Sequence, residues 1–330
     1  MFQKKFKFLS ILFLVFSSYL CAEENTPRKN LSSAIEKGDL AKVQSFIESA
    51  VVGIDELSDN FDPQSPLLEA VSKSKISIIK YLIEKGACVN GISQKNYSSL
   101  EKFIESSRML SNKQLIETIV FMIDHGVDIN GCGDDGYTPL MAACKHTRSI
   151  ELLDLLLDKG AFMDAESKDE ETAYLVSIRN NNLNAYRLLI NRGANVNVTY
   201  KGMNILSLLA WDGNIFMMKI ILDETDANVN GYNPNGTTPL ICAVLGSKSA
   251  MIQFLIDRGA NINALTTKVI DVEINKNQIF KFGRTYVAFP KRCTALNFAS
   301  TLGLVPIANL LIERGGIIYQ DVEYKEVFFW

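Results

Sequence analysis

The chain has 330 residues, 47% of them hydrophobic and 22% charged, with a formal net charge of −3. Such a composition suits a folded chain and lacks the basic excess of a nucleic-acid-binding face. The length would allow two ordinary domains, but an array of repeats grows in one direction and needs no such split.

Residues 1–22 have the parts of a signal peptide. Lys4, Lys5 and Lys7 precede an apolar run of 13 residues, 8–20. A membrane span needs ~20. Leu20, Cys21 and Ala22 fit a leader-peptidase site, so Glu23 is the expected first residue of the exported chain. Loss of the three lysines takes the formal charge from −3 to −6. Two other readings stay open, an uncleaved anchor and a lipid on Cys21, although Leu20 stands where a lipid-modified Cys usually follows a small residue. No other segment reads as transmembrane, so the mature chain is expected to have none.

The mature chain reads as a series of similar units. The first spans about residues 30–57, with Ser33, Ala34 and Ile35 in one helix and Val43, Phe46 and Ile47 in another. It lacks a Thr-Pro opening and has the polar character of a cap. The second spans about 60–90 and opens at Ser65, Pro66 and Leu67. The third opens at Ser98 and closes at Gly126. Gly86 to Gly126 is 40 residues, against 34 from Gly126 to Gly160. The excess falls around 105–112, which predicts a longer inter-helix loop.

The fourth unit, 134–165, is the clearest. Asp134, Asp135 and Gly136 form a turn signal. Thr138 stands at an N-cap and Pro139 at the first helical position, where its missing N–H is harmless. Leu140, Ala142 and Ala143 make a short helix with small packing residues. Ile150, Leu152, Leu153, Leu155, Leu156 and Leu157 make a longer apolar one, ended by Gly160. The unit cannot bury itself alone and needs a neighbour on each side.

The fifth unit opens at Thr172 and the sixth at Asn204. In the sixth, Asp226 stands where the capping Gly belongs and is expected to take the left-handed conformation. The seventh is a strong copy, with Gly236, Thr237, Thr238, Pro239 and Leu240, then Gly259, Ala260, Asn261, Ile262 and Asn263. The eighth opens at Thr294 after an insert at about 265–292. Alternation over 269–274 and 280–282, around Asn275, Lys276 and Asn277, predicts a β-hairpin there. The aromatic tail, 317–330, is expected to cover the last repeat or dock on the insert.

Gly-x-Thr-Pro-Leu, a pair of alanines, a Leu-rich helix and Gly-Ala-x-x-Asp/Asn together resemble the ankyrin repeat. The resemblance covers about residues 31–316. It implies an all-α solenoid of about seven to eight helix–turn–helix repeats over 23–316. The family pattern has His three residues after the Thr; here those positions hold Leu68, Glu101, Met141, Leu175, Ser207, Ile241 and Asn297. The array is therefore expected to be less tied by polar bonds than an idealised one.

Chemistry-bearing groups are sparse. After Cys21, the cysteines are Cys88, Cys132, Cys144, Cys242 and Cys293, with no C-x-x-C and so no zinc signature. Cys144 and Cys242 read as buried; Cys132 and Cys293 lie near turns where they could be exposed. His125 reads as a helix-end cation and His146 as an exposed helix-end residue, neither with a triad partner. Neither a phosphate loop nor a dinucleotide fingerprint occurs. No catalytic, metal or cofactor site is expected.

In the family, turn tips and first helices form a concave protein-binding face. Carried onto this chain, the candidates are Asn96, Tyr97, Asp135, Tyr137, His146, Asp169, Glu171, Tyr200, Lys201, Tyr232 and Asn235. Tyr suits such a face because it offers area with few rotors and a polar end. Phe282 and Tyr286 in the insert are further candidates, with packing against the repeats an equal explanation. The expected function is non-catalytic binding of a protein partner after export. Two alternatives remain: an enzyme or small-ligand site at 265–292, and a structural role in the envelope.

Overall fold

The computed structural model describes residues 26–58, 62–91, 98–274, 285–319 and 325–328; for 271–274, 285–288 and 325–328 it describes the backbone alone. The expected signal peptide lies outside the described residues. The chain divides into two compact units, Met1–Ser177 with Asn184–Ala194, and Ile178–Leu183 with Asn195–Trp330.

The first unit holds helix pairs α1 Pro27–Lys37 and α2 Leu40–Glu48, α3 Pro66–Ser72 and α4 Ile76–Glu84, and α5 Ser99–Ser106 and α6 Asn112–Asp124. These are followed by α7 Pro139–His146 and α8 Ile150–Asp158, then α9 Ala173–Arg179, whose last residues fall outside this unit, and α10 Leu183–Asn191. First helices pack on first helices (α1 on α3, α3 on α5, α5 on α7), and second helices do likewise (α2 on α4, α4 on α6). That order follows from the sequence period. The first helices bury their small and apolar residues, Leu67, Leu68, Phe103, Leu140 and Ala143 among them, between neighbours. The second helix α8 buries only one stripe, Leu152, Leu153 and Leu156.

Local chemistry sets the helix ends. Ser65, Ser98 and Thr138 each accept the N–H three residues on, at 3.3 Å, satisfying one orphan donor of the first turn. Gly160 ends α8 at φ +92°, which lets the Gly160 and Ala161 amides turn back to Leu157 O and Leu156 O. Beyond α5 a 3-10 turn, Ser107–Met109, fills the longer loop, and a Ser111–Gln114 capping box starts α6.

The first repeat differs from the sequence expectation. It does have a Thr-Pro opening, lying just before the expected start of the repeat: Thr26 caps α1, accepting from Lys29 N, with Pro27 at the first helical position. Its polarity has a specific use. Arg28, only 3% exposed, pairs with Glu69 at 3.1 Å and donates to the carbonyls of Glu56 and Gln64. The salt bridge holds α1 to α3, and the two carbonyl bonds fix the connecting loop.

Asn side chains at the turns supply polar ties between repeats in place of the family His. Asn130 donates to Gly160 O at 3.0 Å and accepts from Phe162 N at 2.7 Å. Asn90 accepts from Asp128 N, and Asp55 from Cys88 N.

The second unit repeats this plan with α11 Ile205–Asp212 and α12 Ile215–Glu224, α13 Pro239–Leu245 and α14 Ser249–Asp257, and α15 Ala295–Thr301 and α16 Val305–Glu313. Asn230 and Asn263 make the same two-way ties, to Gly259 and Asn261 and to Gly315 and Ile317. Asp226 does not adopt the expected left-handed conformation. Thr225 ends α12 in an extended conformation at φ −137°, its hydroxyl donating to Ile221 O, so no left-handed residue is needed. Cys293 is buried, contrary to expectation, because its amide is tied to Thr266 Oγ1 and its thiol to Pro290 O.

The insert also departs from a simple two-stranded hairpin. Strand β1, Ile270–Ile274, pairs antiparallel with β2, Thr285–Phe289, and β2 pairs on its other side with β3, Lys325–Phe328. The second strand therefore follows 280–282, which lie outside the described residues. Two strands alone are marginal in water, and the third comes from the tail. Phe289 is fully buried and stacks on Phe298 of α15 with ring centroids 4.1 Å apart. Ahead of β3, Ile317 O accepts from Thr294 Oγ1 and Tyr319 N donates to Asn297 Oδ1.

Candidate functional site

The fourth turn tip is held rigidly by its own sequence. Asp135 Oδ1 accepts the Tyr137 amide at 2.9 Å, closing a local side-chain turn. Gly136 sits at φ +73°, and a Cβ there would lie 3.3 Å from the Ser167 and Lys168 backbone of the next tip. Glycine is therefore required both for the dihedral and for the close approach. The approach is secured by Lys168 N donating to Asp135 O at 2.8 Å. Tyr137 is thus fixed between two turn tips.

Around Tyr137 lies a cleft of about 490 Å³ within the first unit. Helix α5 contributes Glu101, Lys102 and Glu105, the fourth tip Asp134 and Asp135, helix α7 Lys145 and His146, and the fifth tip Asp169 and Glu171. Six carboxyl side chains face two ammonium groups and one imidazole, so the cleft is acidic.

Glu101 is the most perturbed of these carboxylates. Burial, then the charges of Asp135 and Glu105, push its pKa up to about 7, against the pull of Lys102 and the Gly133 amide. Glu105 goes the other way, because Lys102 Nζ bonds it at 2.9 Å. The Tyr137 phenol is raised, first by burial and then by surrounding negative charge. Lys145 Nζ lies 5.4 Å from the Tyr137 ring centroid, in range for a cation–π contact. The His146 imidazole is held below its ordinary value by burial, Lys145 and Arg108.

The other candidates are distributed differently. Tyr200, Lys201, Tyr232 and Asn235 belong to the second unit. The Tyr200 ring has Arg179 at 5.1 Å and Lys201 at 5.2 Å, and Tyr200 bridges to Met203 through the backbone. Asn235 donates to Lys201 O, and the Tyr232 hydroxyl donates to Leu265 O at 2.9 Å. Both side chains therefore tie successive turns together. Tyr286 lies in β2, in register with Glu273 and Val327. Asn96, Tyr97 and Phe282 lie outside the described residues.

The structure brings together Asp135, Tyr137, His146, Asp169 and Glu171 and adds Glu101, Lys102, Glu105 and Lys145. Glu101 had a sequence signal: it is the one charged residue among the seven that replace the family His. Lys102, Glu105 and Lys145 had none, since charged residues on short helices usually mark a solvated face.

Among the described residues no group of His, Cys, Asp and Glu could hold a metal ion, and no helix is long and apolar enough to cross a membrane. Burial raises the Cys144 thiol to about 12 and the Cys293 thiol to about 11, so neither is a thiolate near neutrality.

Stacked helix pairs, most with Ser or Thr at the first N-cap and glycine after the second helix, define a repeat protein whose variable residues sit on turn tips and first helices. Residues 106–200 and 199–266 match the family model for ankyrin repeats, three copies of the unit. The chain belongs to the ankyrin-repeat family. It is similar to the ankyrin repeat protein FPV031 of fowlpox virus, 29% identical over 201 residues, covering 59% of this chain and 48% of that protein. It is also similar to the ankyrin repeat protein YahD of Escherichia coli strain K12, 29% identical over 166 residues, covering 48% of this chain and 71% of that protein. Alpha-latrocrustotoxin-Lt1a of Latrodectus tredecimguttatus is 25% identical over 225 residues, covering 67% of this chain but 14% of the toxin. The chain therefore spans less than half the length of the toxin and of the fowlpox protein. Ankyrin repeats generally mediate protein–protein interaction.

Proposed function

We propose that this chain is a non-catalytic protein-binding scaffold, exported from the cell, whose acidic cleft receives a basic segment of a partner protein. One observation carries the reading: an aromatic ring flanked by carboxylates from three successive repeats, rigidly placed by the Asp135–Lys168 and Asp135–Tyr137 bonds. A Lys or Arg side chain would meet a ring face and opposite charge there, the two features that favour a cation in a partly dry site. The basic and then apolar opening segment supports export to the periplasm, surface or medium.

The test is capture of a partner from envelope and medium fractions by the immobilised mature chain, followed by its identification. Wild type is compared with Tyr137→Ala and with Asp134→Lys combined with Asp169→Lys, two exposed positions on the cleft rim. Both variants should lose a partner whose contacting segment is basic, with melting temperatures close to that of wild type. Retention of the partner by both would remove the cleft from the account.

A further inference from the structure

We propose that Arg108 and His146 form a proton-operated latch between two neighbouring clefts of the first unit, closed while the imidazole is neutral and opened when it is protonated. Arg108 projects from the Ser107–Met109 turn that follows α5, and its Nη2 lies 3.2 Å from His146 Nδ1 at the end of α7. A guanidinium has donors only, so the bond exists only if Nδ1 offers a lone pair and the ring proton is on Nε2. Protonation removes that lone pair and places two cations face to face.

The pair stands at a boundary. His146 lines the acidic cleft around Tyr137 and also a second cleft of about 440 Å³, which Arg108, Leu110, Leu115 and Arg148 line with it. Charged groups reach the imidazole from each side. Lys145 on its own helix and Arg108 opposite disfavour its charge, while Glu105 on α5 favours it and is itself neutralised by Lys102. From the α8 side, Arg148 and Glu151 share the second cleft, and Glu151 accepts from Asn112 and Ser149. The balance keeps the ring neutral near pH 7, in agreement with its lowered pKa.

The start of the turn is anchored, since Ser107 is buried and its hydroxyl donates to Ile104 O, but its outer end is not. Met109 at its apex is 97% exposed, and the Asn112–Glu151 bond that also reaches the next repeat is exposed too. Local opening is inexpensive where backbone is held by few exposed bonds. Opening would join the two clefts into one groove. That consequence rests on the binding role proposed above; the latch itself does not.

The test therefore uses the full chain without any partner. The chain has two histidines, so the ring resonance of His146 is separable by NMR from that of His125. His146 should titrate below 6.5, and hydrogen-exchange protection of residues 107–112, corrected for intrinsic rates, should fall several-fold across the same titration. His146→Asn keeps an acceptor at the Nδ1 position and cannot titrate, so its protection should stay flat while Glu101 still titrates as in wild type. Arg108→Ala should move the His146 titration upward, because a repelling cation is gone. Flat protection in wild type, an unchanged pH dependence in His146→Asn, or a downward move in Arg108→Ala would each overturn the latch. Partner capture that fails while these results hold would count against the binding role alone.

Discussion

Glu101 offers a prediction in which structure sets both sign and size. Its pKa rises from 4.5 unfolded to about 7 folded, chiefly by burial. The folded state thus binds the proton more tightly. The stability linked to this group is fully present below pH 4.5 and is lost as pH rises through 7. The full shift would amount to about 3 kcal/mol at 1.36 kcal/mol per unit. Glu101 is partly exposed, and solvent screening reduces the expected value to about 1–2 kcal/mol. Glu101→Gln removes the charge and keeps an oxygen for the Gly133 amide. Urea unfolding of the full chain should show Glu101→Gln more stable than wild type by about 1–2 kcal/mol at pH 8. The two should coincide at pH 4. An equal gain at both pH values would show that the effect is not ionisation. A loss at pH 8 would show that the carboxylate is compensated by a cation and that the cleft's electrostatics are misread.

Three further substitutions test the scaffold by the same unfolding measurement. Leu156 is fully buried in α8, so Leu156→Ala should cost about 2–5 kcal/mol; a loss within the usual surface range of ~0.5 kcal/mol would move it out of the core. Gly136→Ala should cost about 1–2 kcal/mol for the left-handed dihedral, with more from the 3.3 Å contacts to the next tip. Arg28→Ala should cost about 3–5 kcal/mol, because it leaves the largely buried Glu69 without its cation; Arg28→Met with Glu69→Leu should recover only the part due to that unpaired charge, since the Glu56 and Gln64 carbonyls still lack their donor.

The scaffold was legible because its signals are local. Thr138, Pro139 and Gly160 act through their own backbone, and their chemistry is the same wherever they occur. The first repeat was misjudged for the same reason. Thr26 and Pro27 were present, but the ionic role of Arg28 depends on Glu69, 41 residues away. Asp226 failed as a left-handed cap because Thr225 ends the helix by a side-chain bond to Ile221, a choice that spacing does not reveal. The insert's third strand joins distant segments, and periodicity carries no information about which strands pair.

The candidate site was legible only in part. Asp135 and Tyr137 were found because turn tips are where an ankyrin scaffold leaves residues free. The cleft, however, forms between repeats. Glu101 and Lys145 become neighbours of Tyr137 only when α5 packs on α7. Tyr232 looked like Tyr137 in sequence, yet its hydroxyl is tied to Leu265 O. The difference lies in what the following repeat presents to each ring.

Acceptance of a cationic side chain by the cleft can be measured by fluorescence anisotropy with two labelled peptides, one Lys/Arg-rich and one Glu-rich, at low and moderate salt. The cleft account predicts that wild type binds the basic peptide and not the acidic one. It predicts that Asp134→Lys with Asp169→Lys abolishes this binding. Glu84→Lys with Glu117→Lys, an equal charge change on second helices outside the cleft, should leave it close to wild type. Equal weakening by both charge reversals would show that the peptide responds to net charge alone and would contradict the claim.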